Sequence, residues 1–284
     1  GGKGGVGMGI EWSDRDSIEL GEKIRAGELG CEEVLNQTID NIDKVNPALN
    51  AVIHPMYDEA KRVAGEWQKA ISNGEADNAI FCGVPFVLHD FLAESKGAPF
   101  NEGCVALKEY GSKFDSELVV RQKSSGLVIT AKTNTPEFGG SPVTEHTLHG
   151  ITRNPWNTDH TPGGSSGGSA ALVAAGVVPR GHANDGGGSI RIPAACNGLV
   201  GMKPTRGRVP TGPDGGLFLW GLAIEFAVTR SVRDSAALLD AVSAVDDGYF
   251  YTATPPKRGF LSATMSAPNK LRIGVIDHLP GRPK

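Results

Sequence analysis

This sequence has no basic face to offer. Its 28 lysines and arginines are outnumbered by 32 acidic residues, the formal net charge is -4, and the pI is near 6.0. No lysine or arginine cluster is present, so neither nucleic acid nor an anionic membrane surface is expected as a partner. Long apolar runs are missing too. The longest stretch of small apolar residues, Ala170 to Val178, falls far below the ~20 residues a membrane span needs. No secretory apolar segment follows the start, and the four cysteines, Cys31, Cys82, Cys104 and Cys196, have no C-x-x-C spacing. They read as reduced thiols of a cytoplasmic protein. Cys196, in "PAACNG", reads as a packed core thiol. No internal repeat is visible. A phosphate-loop ending is absent as well: "GGKGGVGMG" places glycines around Lys3, but the lysine is not followed by serine or threonine and no strand precedes it. No cofactor is expected.

Glycine is what the chain has in excess. There are 39 in 284 residues, and they are clustered. With 39% hydrophobic and 21% charged residues, the chain can bury a full core. Residues 1–12 are expected to be a disordered or appended end, and 13–284 a single domain. Two short helices are predicted between Ser13 and Asn46, with Asp16 as N-cap and "AGELG" as the break. "LNAVIH" reads as a strand. Ala60, Val63, Ala64, Trp67 and Ile71 recur at helical spacing over Tyr57 to Ser72. Further on, Ser116 to Gln122 reads as a helix, "GLVITAKTN" as a strand ending in polar residues, "SVRDSAALLDAVSAV" as a helix started by Ser231 or Asp234, and "LRIGVID" as a late strand. Strands alternating with helices predict an α/β sheet covered on both faces.

Three places carry candidate chemistry. "GVPFVLHD" is an apolar run that should be a buried strand, yet it ends in His89 and Asp90, and a buried titratable group is costly unless it is paired or used. "GGSSGGSAA", residues 163–171, sets serines at or before a helix N-terminus, where N–H groups lack partners. "DGGGSIR", residues 185–191, places three glycines before Ser189, which lets several backbone N–H groups face a ligand as an oxyanion would require. Asp185 and Arg191 flank that turn and can brace it as an ion pair. A serine needs a base to become a nucleophile, so a three-membered relay is the hypothesis. "EHTLH", Glu145 to His149, supplies too few ligands for a metal and reads as a polar loop. His182, seven residues before Ser189, lies on the strand feeding the turn.

"GVPFVLHD", "TNTPEF", "GITRNPWN", "TPGGSSGGSAALVAAG" and "DGGGSIRIPAACNGLVGMKPTRGRVP" together resemble, in order, the blocks of the amidase signature family of serine hydrolases, over about Asn46 to Asp277. Within it the chain is most similar to general bacterial amidases related to cyclic amide and nylon-oligomer hydrolases. The resemblance implies a mixed, mostly doubly wound α/β sheet with helices on both faces, the amidase signature fold, here truncated at its C-terminal side. It also implies Ser189 as nucleophile, Ser165 as bridging serine after a cis Gly164-Ser165 peptide, and the N–H groups of Gly186, Gly187, Gly188 and Ser189 as oxyanion hole. A small-molecule amide would be the substrate, and a homodimer is a candidate assembly.

The family's general base is a lysine, and its position is occupied by His89. An imidazole is a ready base near neutrality. Its tip ends roughly 1.5–2 Å closer to the backbone than a lysine nitrogen, so contact with Ser165 should need a backbone shift or a bridging water. Two rival readings follow: a relative that binds amides or acyl ligands without turnover, and an anion binder using the two glycine-serine loops.

Overall fold

The computed structural model describes residues 5–6, 10, 14–212, 215–243, 252–268 and 270–274. Helix α1 (Ser17–Arg25) starts where expected, with the Asp16 carboxylate accepting the Glu19 N–H at 3.0 Å. The second helix, α2 (Cys31–Leu49), is longer than predicted. It runs through Pro47 and ends at Asn50, whose left-handed backbone (φ 49°) terminates it. The Asn46 side-chain oxygen then accepts the N–H groups of Ala51 and Val52, both at 2.8 Å, and turns the chain into strand β1 (Val52–Pro55).

Helix α3 (Tyr57–Ser72) matches the periodicity of its apolar residues. Then come β2 (Pro85–His89), α4 (Glu117–Ser124) and β3 (Val128–Thr133). A small hairpin of β4 (Glu145–His146) and β5 (Gly150–Ile151) follows, then α5 (Gly167–Ala174), β6 (Arg180–Asp185) and α6 (Arg191–Asn197). The described chain continues with β7 (Val200–Gly201), β8 (Ile224–Thr229), α7 (Val232–Val242) and α8 (Phe260–Thr264).

The main sheet has the order β1-β3-β2-β6-β8-β7. Strands β3, β2 and β6 run parallel at its centre, and β1, β8 and β7 join antiparallel to their neighbours. The sheet is therefore mixed, flanked by helices, as the sequence predicts. Strands β2, β3, β6 and β8 are buried along their whole length, which fits a sheet covered on both faces. The parallel strands deliver their carboxyl ends to one edge: His89 from β2, Lys132 and Thr133 from β3, Asp185 from β6. Ligands of open α/β sheets bind at that edge. At the other end of β6, Arg180 donates from Nε to Ser17 Oγ at 2.7 Å, and the Ser17 N–H reaches the Asp234 carboxylate at the start of α7 at 2.9 Å.

Two expectations are corrected. Cys196 is exposed, because α6 buries Pro193, Ala194 and Asn197 and this places Cys196 on the outer side of the helix. Leu271 to Gly274, the described part of "LRIGVID", form no strand, and Leu271 and Ile273 are exposed; its last three residues lie outside the described residues. Most of residues 1–12, where a disordered or appended end was expected, also lies outside them. Among the described residues no helix is long and apolar enough to cross a membrane.

Candidate active site

The first glycine-serine loop is held by close backbone approaches. Gly164-Ser165 is a cis peptide. Thr144 Oγ1 donates to the Gly163 carbonyl at 2.9 Å. In the first turn of α5 the Gly168 N–H donates to the Asn134 carbonyl at 3.3 Å, and a Cβ on Gly168 would lie 2.6 Å from the Asn134 nitrogen. Only glycine permits that contact. Ser165 and Ser166 are fully buried.

The second loop is organised by Asp185. Its carboxylate accepts the Gly188 N–H at 2.8 Å and those of Ile190 and Arg191 at 3.3 Å, and it pairs with the Arg191 guanidinium at 2.8 and 2.9 Å. Burial opposes ionisation of Asp185, but the Arg191 charge and these backbone donors outweigh it and hold the carboxyl below its usual range. The expected Asp185–Arg191 brace is therefore present. One expected oxyanion donor is corrected by the same contacts: the Gly188 N–H is directed to Asp185, inside the turn. The N–H groups of Gly186, Gly187 and Ser189 meet no acceptor among the described residues. Gly188 itself has φ 134°, and a Cβ there would meet Ile192 Cδ1 at 2.6 Å. Ser189 is partly exposed. The two loops touch, with the Ser166 N–H donating to the Ser189 carbonyl at 3.4 Å.

His89 stands at the carboxyl end of β2 with no exposed surface. Its Nε2 is 3.5 Å from Ser165 Oγ. The imidazole thus reaches the serine without an intervening residue, at a distance roughly 0.7 Å longer than an ordinary hydroxyl hydrogen bond. Burial, with His182 and Lys132 adding to it, pushes the His89 pKa well below 6.5, so the ring is neutral at neutral pH and able to accept a proton.

Asp90 has a different task. It stands 2.9 Å from Lys132 Nζ, both side chains fully buried. That pair is off the line of a hydrogen bond, while the other Asp90 oxygen accepts the N–H groups of Asn101 and Glu102 at 3.2 and 3.1 Å. Two ionisable residues end β2 because one answers a buried lysine and the other faces a buried serine.

Lys132 and Glu225 were not among the candidates drawn from sequence, and His182 was weighed there only as a direct partner of Ser189. Their signal is a lone charged or titratable residue within an apolar strand, "VITAKT", "RGHAND" and "IEFAVT". Asn184 of β6 pairs with Glu225 of β8, and His182 with Ala227. Glu225 is therefore the diagonal neighbour of His182 on one face, and its Oε1 lies 3.3 Å from His182 Nε2. Burial raises the Glu225 pKa to about 8 and lowers that of His182 to about 3, where Lys132 adds to the effect. Glu225 also lines a cavity of about 190 Å³ shared with Leu92, Glu94, Glu102 and Phe218.

His182 makes no contact with Ser189 that would form a direct serine–histidine pair. The "EHTLH" histidines are occupied as polar contacts, His146 Nε2 with Asn134 Oδ1 at 2.7 Å and His149 Nε2 with Asn101 Oδ1 at 3.1 Å. No group of three or more His, Cys, Asp or Glu placed to hold a metal occurs among the described residues.

Comparison with known proteins identifies the family of this chain. Residues 33–283 match the family described as Amidase. The chain is 40% identical over 270 residues to a 6-aminohexanoate-cyclic-dimer hydrolase of Paenarthrobacter ureafaciens, covering 94% of this chain and 53% of that protein. A solved structure of 6-aminohexanoate cyclic dimer hydrolase complexed with substrate superposes with TM-score 0.85 at 39% identity, over 93% of this chain and 54% of the other. A bacterial aryl acylamidase of the amidase signature family superposes with TM-score 0.84 at 36% identity, over 89% and 52%. The chain spans about half the length of these relatives. On the matched residues and the shared fold, it belongs to the amidase signature family.

Proposed function

We propose that this protein hydrolyses a carboxylic amide at its C–N bond through an acyl-enzyme on Ser189. His89 Nε2 takes the proton of Ser165 as Ser165 takes that of Ser189, and the Ser189 oxygen attacks the amide carbon. Charge developing on the carbonyl oxygen is met by the N–H groups of Gly186, Gly187 and Ser189, with Gly188 holding the turn through Asp185. The proton on His89 returns through Ser165 to the leaving amine, and water then cleaves the ester by the same steps reversed. The observation that carries this reading is a fully buried imidazole whose Nε2 lies 3.5 Å from the buried Ser165 hydroxyl. Relatives named as a cyclic amide hydrolase and an aryl acylamidase support small aliphatic or aryl amides as the substrate class. A fluorophosphonate probe tests it. Intact-mass analysis should show one adduct, mapped to Ser189 and absent from Ser189→Ala; reaction elsewhere, or none, overturns the proposal.

The length of the His89–Ser165 contact favours a second reading, an amide binder that does not turn its ligand over. Saturable binding of an acyl amide, with neither adduct nor product, would select it.

A further inference from the structure

Three titratable side chains are sealed together at this edge of the sheet, and the steps above use only one of them. His89 and His182 have no exposed surface and Glu225 has 2%. The two imidazoles stand 6.2 Å apart, centroid to centroid, tilted by 45°. His89 Nδ1 and His182 Nδ1 are both buried without a hydrogen-bond partner. On the far side of His182, Nε2 lies 3.3 Å from Glu225 Oε1, close but off the line of a hydrogen bond, so these two atoms are unpartnered as well. Buried polar atoms left without partners are rare enough to require an explanation.

We infer that His182 and Glu225 form a positioning relay behind His89: the His89 Nδ1–H is accepted by His182 Nδ1 through one water, and a small turn of the His182 ring lets its Nε2–H be accepted by Glu225. This rests on the proposed reaction. The arrangement fixes His89 as the tautomer whose Nε2 carries a lone pair toward Ser165, the form a general base requires. It moves no net proton. A proton taken from Ser165 stays on His89 Nε2 until it returns to the leaving amine, and the relay answers the resulting positive charge with the Glu225 carboxylate.

The surrounding charges explain why that answer is needed. His89 faces His182 and the Lys132 ammonium, and both oppose its protonation. Asp90 is committed to Lys132 and to the N–H groups of Asn101 and Glu102. Glu94 and Glu102 line the cavity beside Glu225. Glu225 is the carboxyl in contact with His182, and with its pKa near 8 it is ionised only on the alkaline side. The relay therefore strengthens His89 as a base as pH rises through the alkaline range.

Steady-state amide hydrolysis across the neutral to alkaline range, with wild type, Glu225→Gln, Glu225→Leu and His182→Phe, tests the relay. Wild-type kcat should climb toward alkaline pH. Glu225→Gln keeps an acceptor for His182 but no charge; it should lose that climb and fall roughly tenfold or more in alkaline kcat with little change in KM. A Gln variant with the wild-type profile, or one that shifts KM alone, overturns the relay. Long-range 1H–15N NMR of the intact wild-type protein decides independently of turnover and of variant folding. His89 should be the Nδ1–H tautomer and His182 the Nε2–H tautomer, and His182→Phe or Glu225→Leu, where folded, should release the His89 preference. An Nε2–H tautomer at His89 in the wild type refutes the relay. If wild type hydrolyses no amide yet shows the expected tautomers, the catalytic reading fails while the relay stands.

Discussion

Replacing His89 by lysine tests both the reach and the electrostatics of the site. The histidine contact is 3.5 Å, about 0.7 Å beyond an ordinary hydroxyl hydrogen bond. A lysine nitrogen extends roughly 1.5–2 Å further, so it closes that gap with about 1 Å to spare. Bending the chain to absorb the surplus costs about 0.5–1.5 kcal/mol for each side-chain torsion forced off its rotamer. The new amine would sit in the surroundings that already depress His89, with no solvent and the Lys132 ammonium nearby. Buried lysines are known with pKa ~5–6, so a neutral amine at working pH is attainable. A general base contributes ~10²–10⁴ in rate, or about 3–5 kcal/mol. His89→Ala should lose most of that; His89→Lys should gain about tenfold over the wild type by making the contact at normal length. Initial rates of amine release from a chromogenic anilide across the neutral to alkaline range, with far-UV circular dichroism to confirm folding, measure both. If the folded alanine variant is as fast as the wild type, or the folded lysine variant is slower than alanine, the assignment of position 89 as base is refuted.

Three further outcomes follow from the same buried cluster and the exposed thiol. Asp90→Asn leaves the Lys132 ammonium without its counter-charge and should destabilise by about 3–5 kcal/mol in urea titrations, whereas Asp90→Asn with Lys132→Met should cost less than the single change; a single change costing under about 1 kcal/mol would refute a buried charge pair. The contribution of His182 and Glu225 to stability should be level from about pH 4.5 to 6.5 and fall on either side: with His182 depressed to about 3 the unfolded chain binds an extra proton below 6.5, with Glu225 raised to about 8 from 4.5 the folded chain binds one above 4.5, and the two offset each other in between, so stability is lost as pH falls below 4.5 and as it rises from 6.5 toward 8. Between pH 6.5 and 8 that loss is roughly 2 kcal/mol and should vanish in Glu225→Gln. Finally, Cys196 should be alkylated readily, and Cys31 and Cys82, buried and pushed up to about 12 and 11, only on unfolding.

The parts of this fold written in local pattern were legible. The Asp16 cap, the α3 periodicity, the apolar run of β2 and the Asp185–Arg191 brace each depend on residues within a few positions of one another. What was missed depends on distance in sequence. Lys132 is tolerable in a buried strand only because Asp90, 42 residues earlier, ends the neighbouring parallel strand. Glu225 meets His182 only because β8 returns antiparallel beside β6 in one particular register. Gly188 was grouped with its neighbours as an oxyanion donor because glycine runs look alike in sequence, and only the folded turn shows that its N–H is taken by Asp185. Cys196 misled for a related reason: a helix of 7 residues has too few turns for its buried side to be read from the sequence.

The exchange of a lysine for His89 becomes intelligible once the field at that position is considered apart from the residue. A lysine base must be made neutral before it can act, and burial beside another ammonium does that. The same field acts on a histidine that starts at 6.5 and is already largely neutral at working pH. It therefore overshoots, leaving a ring that is available but too weakly basic to hold a proton without help. Reach and basicity then fail in the same direction, one through a 3.5 Å gap and the other through burial among His182 and Lys132. A carboxyl that can ionise behind the ring repairs only the second. Restoring lysine should repair both, so the gain from His89→Lys ought to persist when Glu225 is glutamine, whereas the alkaline activity of the histidine enzyme ought to fall roughly tenfold or more.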